Sequence, residues 1–225
     1  EALAFLTRAS EAQPEHLATT LLVSDMQART GNPEAARQAF ERALRKNPGS
    51  DLITEKLAGL EAQLGNSRRA LDLLTRHVFE PRHQSYSLLR LYQGVQLQLA
   101  LDASQDDKEK SSFVGPLRAA AQPPPNLGLD DFTNLRSPRL WVFEAMLHRA
   151  AGNLDESAKA WKAAVETVDE DMEGEGLFYA IALAHTGQSA KAEDWLKKFR
   201  EVDEQRKKDH SLDLRLQAGT ARQPA

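Results

Sequence analysis

The stretch that decides the fold is Gly31–Pro48, GNPEAARQAFERALRKNP. Its skeleton returns as GNSRRALDLL from Gly65, GNLDESAKAW from Gly152 and GQSAKAEDWL from Gly187. Pro14 and Pro48 lie 34 residues apart, as do Gly31 and Gly65, Asn32 and Asn66, Ser24 and Ala58, Ala36 and Ala70, and Phe40 and Leu74. Gly152 and Gly187 lie 35 apart. Each fixed letter has a physical task. A first helix, here termed A, is expected from His16 to Arg29, and a second, B, from Pro33 to Arg45. Gly31 sits just past helix A, where a left-handed residue closes a helix without a Cβ penalty. Asn32 can cap helix B, and Pro33 suits its first turn. Ala36 and Ala43 let B lie close against A, Phe40 fills the space between repeats, and Pro48 stops the helix.

A 34-residue helix–turn–helix period resembles the tetratricopeptide repeat. The resemblance implies an all-α, right-handed α-solenoid. The array is expected over residues 1–200, about 4.5 repeats: a partial one at 1–14, then 17–50, 51–82, an irregular 84–128, 138–170 and 173–200. Ala2, Leu6 and Ala9 match helix B of a truncated repeat, and the chain opens without Met in helical rhythm, as an excised fragment would. Later repeats supply Leu57, Ala58, Ala70 and Leu74; then Trp141, Trp161 and Ala164; then Tyr179, Ala180, Leu183, Ala192 and Leu196. In the irregular repeat, SYSLLRLYQGVQLQLAL reads as a long helix A and DASQDDKE as a polar loop. SSFVGPLRAAAQ reads as a helix B that Gly115-Pro116 kinks or starts late. PPPNLGLDDFTNLRSP is the one long insertion, and long insertions in packed arrays are often functional or mobile. Residues 201–217 are expected to form a capping helix, which terminal repeats require, and 218–225 a disordered tail.

A narrower likeness rests on PLRAAAQPPPNLG followed by LWVFEAMLHRAAGN. Residues 78–199 resemble the C-terminal repeat array of long bacterial proteins whose uncharacterised β-rich N-terminal region is similar to mutarotase-like sandwiches. Pro125-Asn126-Leu127-Gly128 is the most specific piece. At VFEPRHQS those proteins carry a Trp- and Gly-rich segment, and this chain has neither residue there. The resemblance implies a link to carbohydrate-related proteins through a domain that this sequence does not include.

The 225 residues are 28% charged and 41% hydrophobic, with a net charge of −4, so no global field draws nucleic acid. No run of eighteen apolar residues offers a membrane span. With no cysteine, disulfides, thiolate metal sites and cysteine nucleophiles are excluded. The compartment stays open, the cytoplasm slightly favoured. His16, His77, His83, His148, His185 and His210 lack the spacing of a zinc site. His77 and His83 read as solvated loop residues. Asp106-Asp107, Asp130-Asp131 and the acids of 169–175 lack alternate-ligand calcium spacing and read as caps and linkers. Lys197, Lys198, Arg200, Arg206, Lys207 and Lys208 interleave with acids, as on a solvated helix face. Trp141 and Trp161 fall on core positions, and Trp195 lies one residue before the expected large position, Leu196.

These readings leave no catalytic residue, no metal ligand and no cofactor, and the chain is expected not to be an enzyme. A stack of helix pairs lines its concave face with A helices, where peptides or partner domains dock. By repeat position that face presents Asp25, Arg29, Glu55, Gln63, Gln98, Arg149 and His185. Leu21 and Asp25, then Glu55 and Gly59, stand where a carboxylate-gripping subclass carries Lys and Asn, so a terminal-carboxylate clamp is not expected. The expected role is a protein–protein interaction scaffold for a protein or peptide partner. The alternative is a regulatory or substrate-presenting C-terminal appendage of a larger, carbohydrate-related bacterial enzyme, associated with an N-terminal domain of the same chain.

Overall fold

The computed structural model describes residues 5–6, 8, 17–81, 86–105, 112–129, 137–167, 176–201 and 204. Among them there are helices and no strand. The chain divides into two compact units, residues 1–135 and 136–225.

Unit 1 holds α1 (Leu17–Arg29), α2 (Pro33–Lys46), α3 (Asp51–Gln63), α4 (Ser67–Arg76), α5 (Tyr86–Ser104), α6 (Val114–Ala121) and a 3-10 turn, Pro125–Leu127. Each helix packs against the next, and α3 also meets α5, the A helix of the following repeat. Unit 2 holds α7 (Pro138–Ala150), α8 (Leu154–Glu166), α9 (Gly176–His185) and α10 (189–201). There α7 and α8 pair, and α9 packs on both.

The repeated glycine does what its spacing predicts. Gly31, Gly65, Gly152 and Gly187 all have positive φ. At Gly65 the closure is a Schellman motif: the Asn66 N–H donates to Glu61 C=O at 2.8 Å and the Gly65 N–H to Ala62 C=O at 3.1 Å. The same crossed bonds follow at Asn153 and Gln188, which donate to His148 and Leu183. The Asn32 side chain accepts from the Ala35 N–H and caps α2. Ser50 caps α3 in the same way through Ile53.

Between the helices, size follows register. Ala36, Ala70, Ser157 and Ala192 are the small buried residues near the starts of α2, α4, α8 and α10. Ser157 keeps its hydroxyl satisfied by donating to Ala145 C=O at 2.7 Å. Phe40, Leu74 and Trp161 are the large ones further along the same helices, and all are buried. Phe40 packs with Ile53, Leu57 and Leu60 of the next A helix, closing the gap between repeats. Trp161 packs among Val142, Ala145, Ala160, Ala164 and Ala182. Trp141 is only half-buried against that cluster. Trp195 is half-buried as well and meets Tyr179 edge-on at 5.2 Å.

The irregular repeat differs from its reading at one end. Helix α5 continues through Asp102-Ala103-Ser104, which the sequence assigns to a polar loop. Gln98 holds that extension by donating to the Asp102 carboxylate one turn on, at 2.9 Å. Helix α6 begins at Val114, so Pro116 falls in its first turn, where a missing N–H costs nothing.

The described half of the long insertion is core. Leu127 and Leu129 are buried with Phe79, Leu88, Leu89 and Tyr92. Asn126 clasps this turn to the end of α4: its Nδ2 donates to Leu74 C=O at 2.9 Å and to His77 C=O at 2.6 Å. Its own C=O accepts the Phe79 N–H at 2.8 Å. Gly128, at φ 61°, lies so close to residues 79–81 that a Cβ would meet Pro81 Cα at 3.0 Å. His77 is therefore not a solvated loop histidine. Its Nε2 lies 2.7 Å from Asp51 Oδ1, both side chains are nearly buried, and Asp51 Oδ2 accepts the Glu80 N–H at 3.1 Å. The loop is drawn inward because its backbone donors find partners on α3 and on the insertion. The other acidic and histidine positions of interest, His16, His83, His210, 106–107, 130–131 and 169–175, lie outside the described residues, as do 202–203, 205–217 of the expected capping helix and 218–225.

Candidate partner-binding faces on the A helices

Both units leave one face of their A helices in solvent. In unit 1 it is mostly polar, with Leu22 and Leu52 exposed on it as well. Exposed or half-exposed positions recur at helical spacing: Leu21, Leu22 and Asp25 on α1; Leu52, Glu55, Lys56, Gly59 and Gln63 on α3; Ser87, Arg90, Gly94 and Gln98 on α5. Two rungs tie these helices together. Lys56 Nζ lies 2.9 Å from Asp25 Oδ2, and Ser87 Oγ donates to Glu55 Oε1 at 2.8 Å. Exposed pairs of this kind contribute no more than about 1 kcal/mol each, so they set register rather than hold the unit together.

Of the residues expected to face a partner, Asp25 and Glu55 come together through these rungs. Gln63 is exposed at the last turn of α3, and Gln98 is exposed further along α5, bonded to Asp102. The Arg29 side chain lies outside the described residues. Arg149 and His185 belong to unit 2, where both are exposed in the last turns of α7 and α9. The His185 ring stacks flat on Trp161, with centroids 4.1 Å apart and planes at 11°.

The A helices of unit 2 carry large apolar side chains toward solvent as well as Arg149 and His185. Phe143 on α7 and Phe178 on α9 are half-buried, their rings 6.1 Å apart. Met146 of α7 is 53% exposed and Leu177 of α9 46% exposed. The repeat pattern passes over these four residues because an apolar letter in an A helix reads as core. The signal was periodicity. Val142 and Ala145, with Ala180, Ala182 and Leu183, fill the core face, Phe178 packs against that cluster from its edge, and Met146 and Leu177 stay exposed.

The charged group with the deepest burial was also not singled out in sequence. Glu61 is fully buried between the B helices of successive repeats. Its Oε1 lies 3.0 Å from Arg37 Nε and 3.2 Å from Arg69 Nε, and its Oε2 accepts from Asn66 Nδ2 at 2.8 Å. Arg69 also pairs with Glu41 of α2. With four donor contacts around one carboxylate, this cluster is a link between repeats and offers no open position for a ligand. On α8, the exposed Glu156 and Lys159 shift each other's ionisation by their hydrogen bond, the carboxyl downward and the amine upward. Among the described residues, no three His, Cys, Asp or Glu side chains gather as a metal site. No described helix is long and apolar enough to cross a membrane.

A tetratricopeptide-repeat family profile matches residues 1–51 and 27–86, and a second matches 176–198. A tetratricopeptide repeat protein from Parabacteroides merdae ATCC 43184 superposes with a TM-score of 0.51 at 18% identity, over 88% of this chain and 70% of its own. A thermophilic TPR protein of Thermus thermophilus gives 0.51 at 22% identity, over 91% of this chain and 97% of its own. These likenesses carry the fold alone. No curated protein sequence matches the chain. The repeat spacing and the helix pairs agree with the profiles, which match tetratricopeptide repeats over residues 1–86 and 176–198 of an all-α array.

Proposed function

We propose that the chain is a non-catalytic scaffold that binds a peptide or partner domain on the exposed faces of its A helices. One observation carries this reading: α1, α3 and α5 are joined along one side by the Asp25–Lys56 and Glu55–Ser87 rungs, among their exposed positions. Mid-helix Gly59 and Gly94 leave the centre of that face bare, with nothing within 4 Å of an added Cβ. Partner recognition there uses Asp25, Arg29, Glu55, Gln63 and Gln98, and in unit 2 Arg149 and His185. A second reading, an appendage of a larger bacterial enzyme, is supported by the likeness over 78–199, whose most specific turn is held by Asn126.

Panning a displayed dodecapeptide library on the 225-residue chain tests the scaffold reading. Selected peptides should lose binding on Lys56→Glu or Arg149→Glu, and keep it on Arg42→Glu, which lies exposed on α2, a B helix. Peptides sensitive only to Arg42→Glu would place recognition on the opposite face and sink the reading.

A further inference from the structure

Glu61 stands outside the repeat. It lies four residues before the glycine that closes its helix, and the other glycine-closed helix pairs carry Gln27, His148 and Leu183 at that register. Its two cationic partners are as singular. Arg37 lies six residues after its glycine, where the other pairs carry Leu71, Ala158 and Glu193. Arg69 lies four residues after its glycine, where they carry Ala35, Glu156 and Lys191. The pattern of caps and side-chain sizes therefore builds the other pairs without such a cluster. Burying a carboxylate also has a desolvation cost, which the repeat itself does not demand.

The cluster joins three helices. Glu61 of α3 is fully buried, and its Oε1 faces both guanidinium groups, Arg37 Nε of α2 at 3.0 Å and Arg69 Nε of α4 at 3.2 Å. Its Oε2 takes the hydrogen bonds, from Asn66 Nδ2 at 2.8 Å and from Arg37 Nη2 at 3.4 Å. Arg69 also pairs with Glu41 of α2, which closes a ring from α2 through α3 to α4 and back. Apolar packing at the same junction, as of Phe40 with Ile53 and Leu57, is non-directional. Contacts between guanidinium and carboxylate groups are directional. A slide or tilt of α4 against α2 separates Arg69 from Glu41 and Glu61 together. It leaves a buried charge short of partners, which is strongly unfavourable.

We infer that the Glu61 cluster is a conformational lock, which fixes the angle between the first two helix pairs of unit 1, α1–α2 and α3–α4. The same two pairs carry the Asp25–Lys56 rung, so the lock sets the spacing across which that exposed pair forms. The lock acts whether or not a partner is bound.

The test is a distance measurement on the whole chain, whose lack of cysteine leaves two introduced thiols as the only labelling sites. Gln38→Cys on α2 and Gln122→Cys at the end of α6, both exposed, take nitroxide labels whose separation is read by dipolar electron paramagnetic resonance. The otherwise unchanged chain should give one narrow distribution. Arg69→Ala, at a side chain that is 49% exposed, should make it about twice as wide or more. Arg68→Ala, at the exposed neighbour on the same helix, should leave the width in place. A third variant carries Arg37→Met, Glu61→Met and Arg69→Met together. It removes the desolvation cost, so it should stay folded and yet give the broad distribution. A narrow distribution in that triple variant would mean that apolar packing alone sets the angle, and it overturns the lock. An unbroadened Arg69→Ala chain overturns it too, as does equal broadening by Lys56→Ala, which removes only the exposed rung. Should the triple variant fail to fold, the comparison of Arg69→Ala with Arg68→Ala decides by itself.

Discussion

Gly59 and Gly94 sit in the middle of α3 and α5, where glycine costs about 0.5–1 kcal/mol relative to alanine. A Cβ at either would meet nothing within 4 Å. Gly59→Ala should therefore raise stability by that amount, read as a higher urea midpoint at unchanged m-value. Gly128 is the opposite case. Its φ is +61°, and a Cβ would fall 3.0–3.1 Å from backbone atoms of residues 79–81. The left-handed conformation alone costs a non-glycine residue about 1–2 kcal/mol, and the backbone neighbours cannot rotate away. Gly128→Ala should lower the midpoint by at least that cost; an unchanged midpoint would contradict the clasp between the insertion and residues 77–81. Tyr92 offers a pH-dependent reading. Burial pushes its phenol up from the ordinary value of 10.0, against a smaller opposing effect of the Gln96 hydrogen bond. Above pH 10 the folded chain then holds a proton that the unfolded chain has released, so stability falls as pH rises through that range. Tyr92→Phe should remove this part of the alkaline loss, seen as a shallower decline in melting temperature from about pH 9 to 11 than in the parent.

At the scale of elements, Trp161 of α8 is the large residue among small ones. Its buried neighbours Ala145, Ala160, Ala164 and Ala182 have no rotamers with which to refill the space. Trp161→Ala should cost about 3–5 kcal/mol for that reason. A loss under about 1 kcal/mol would mean that the space collapses and that α8 is not the wedge between α7 and α9. The helix pairs themselves were legible in sequence because their signals are local. Gly31 and Gly65 end helices by their own φ, Asn32 and Ser50 cap by reaching three residues forward, and Pro33 starts a helix by its ring. His77 and Asn126 were not legible in the same way. They act across 26 and 49 residues, on Asp51 and on the His77 carbonyl, and no local pattern records such a bond.

At the scale of the molecule, the chain comprises two units, each with its own buried clusters. Sequence alone determined an all-α array, helix pairs repeating at about 34 residues outside the irregular repeat, and the buried places of Ala36, Ala70, Phe40, Leu74 and Trp161, though not the half-burial of Trp141 and Leu196. These follow from period, capping and size, which one repeat's worth of chain already contains. Tertiary structure alone decided that the described insertion is core, that His77 and Glu61 are buried among partners, and that Met146 and Leu177 stay exposed. A side chain such as Met146 or Phe178 has the same hydropathy in either setting. Only the packing of its neighbours sets Phe178 against the core cluster and leaves Met146 in solvent.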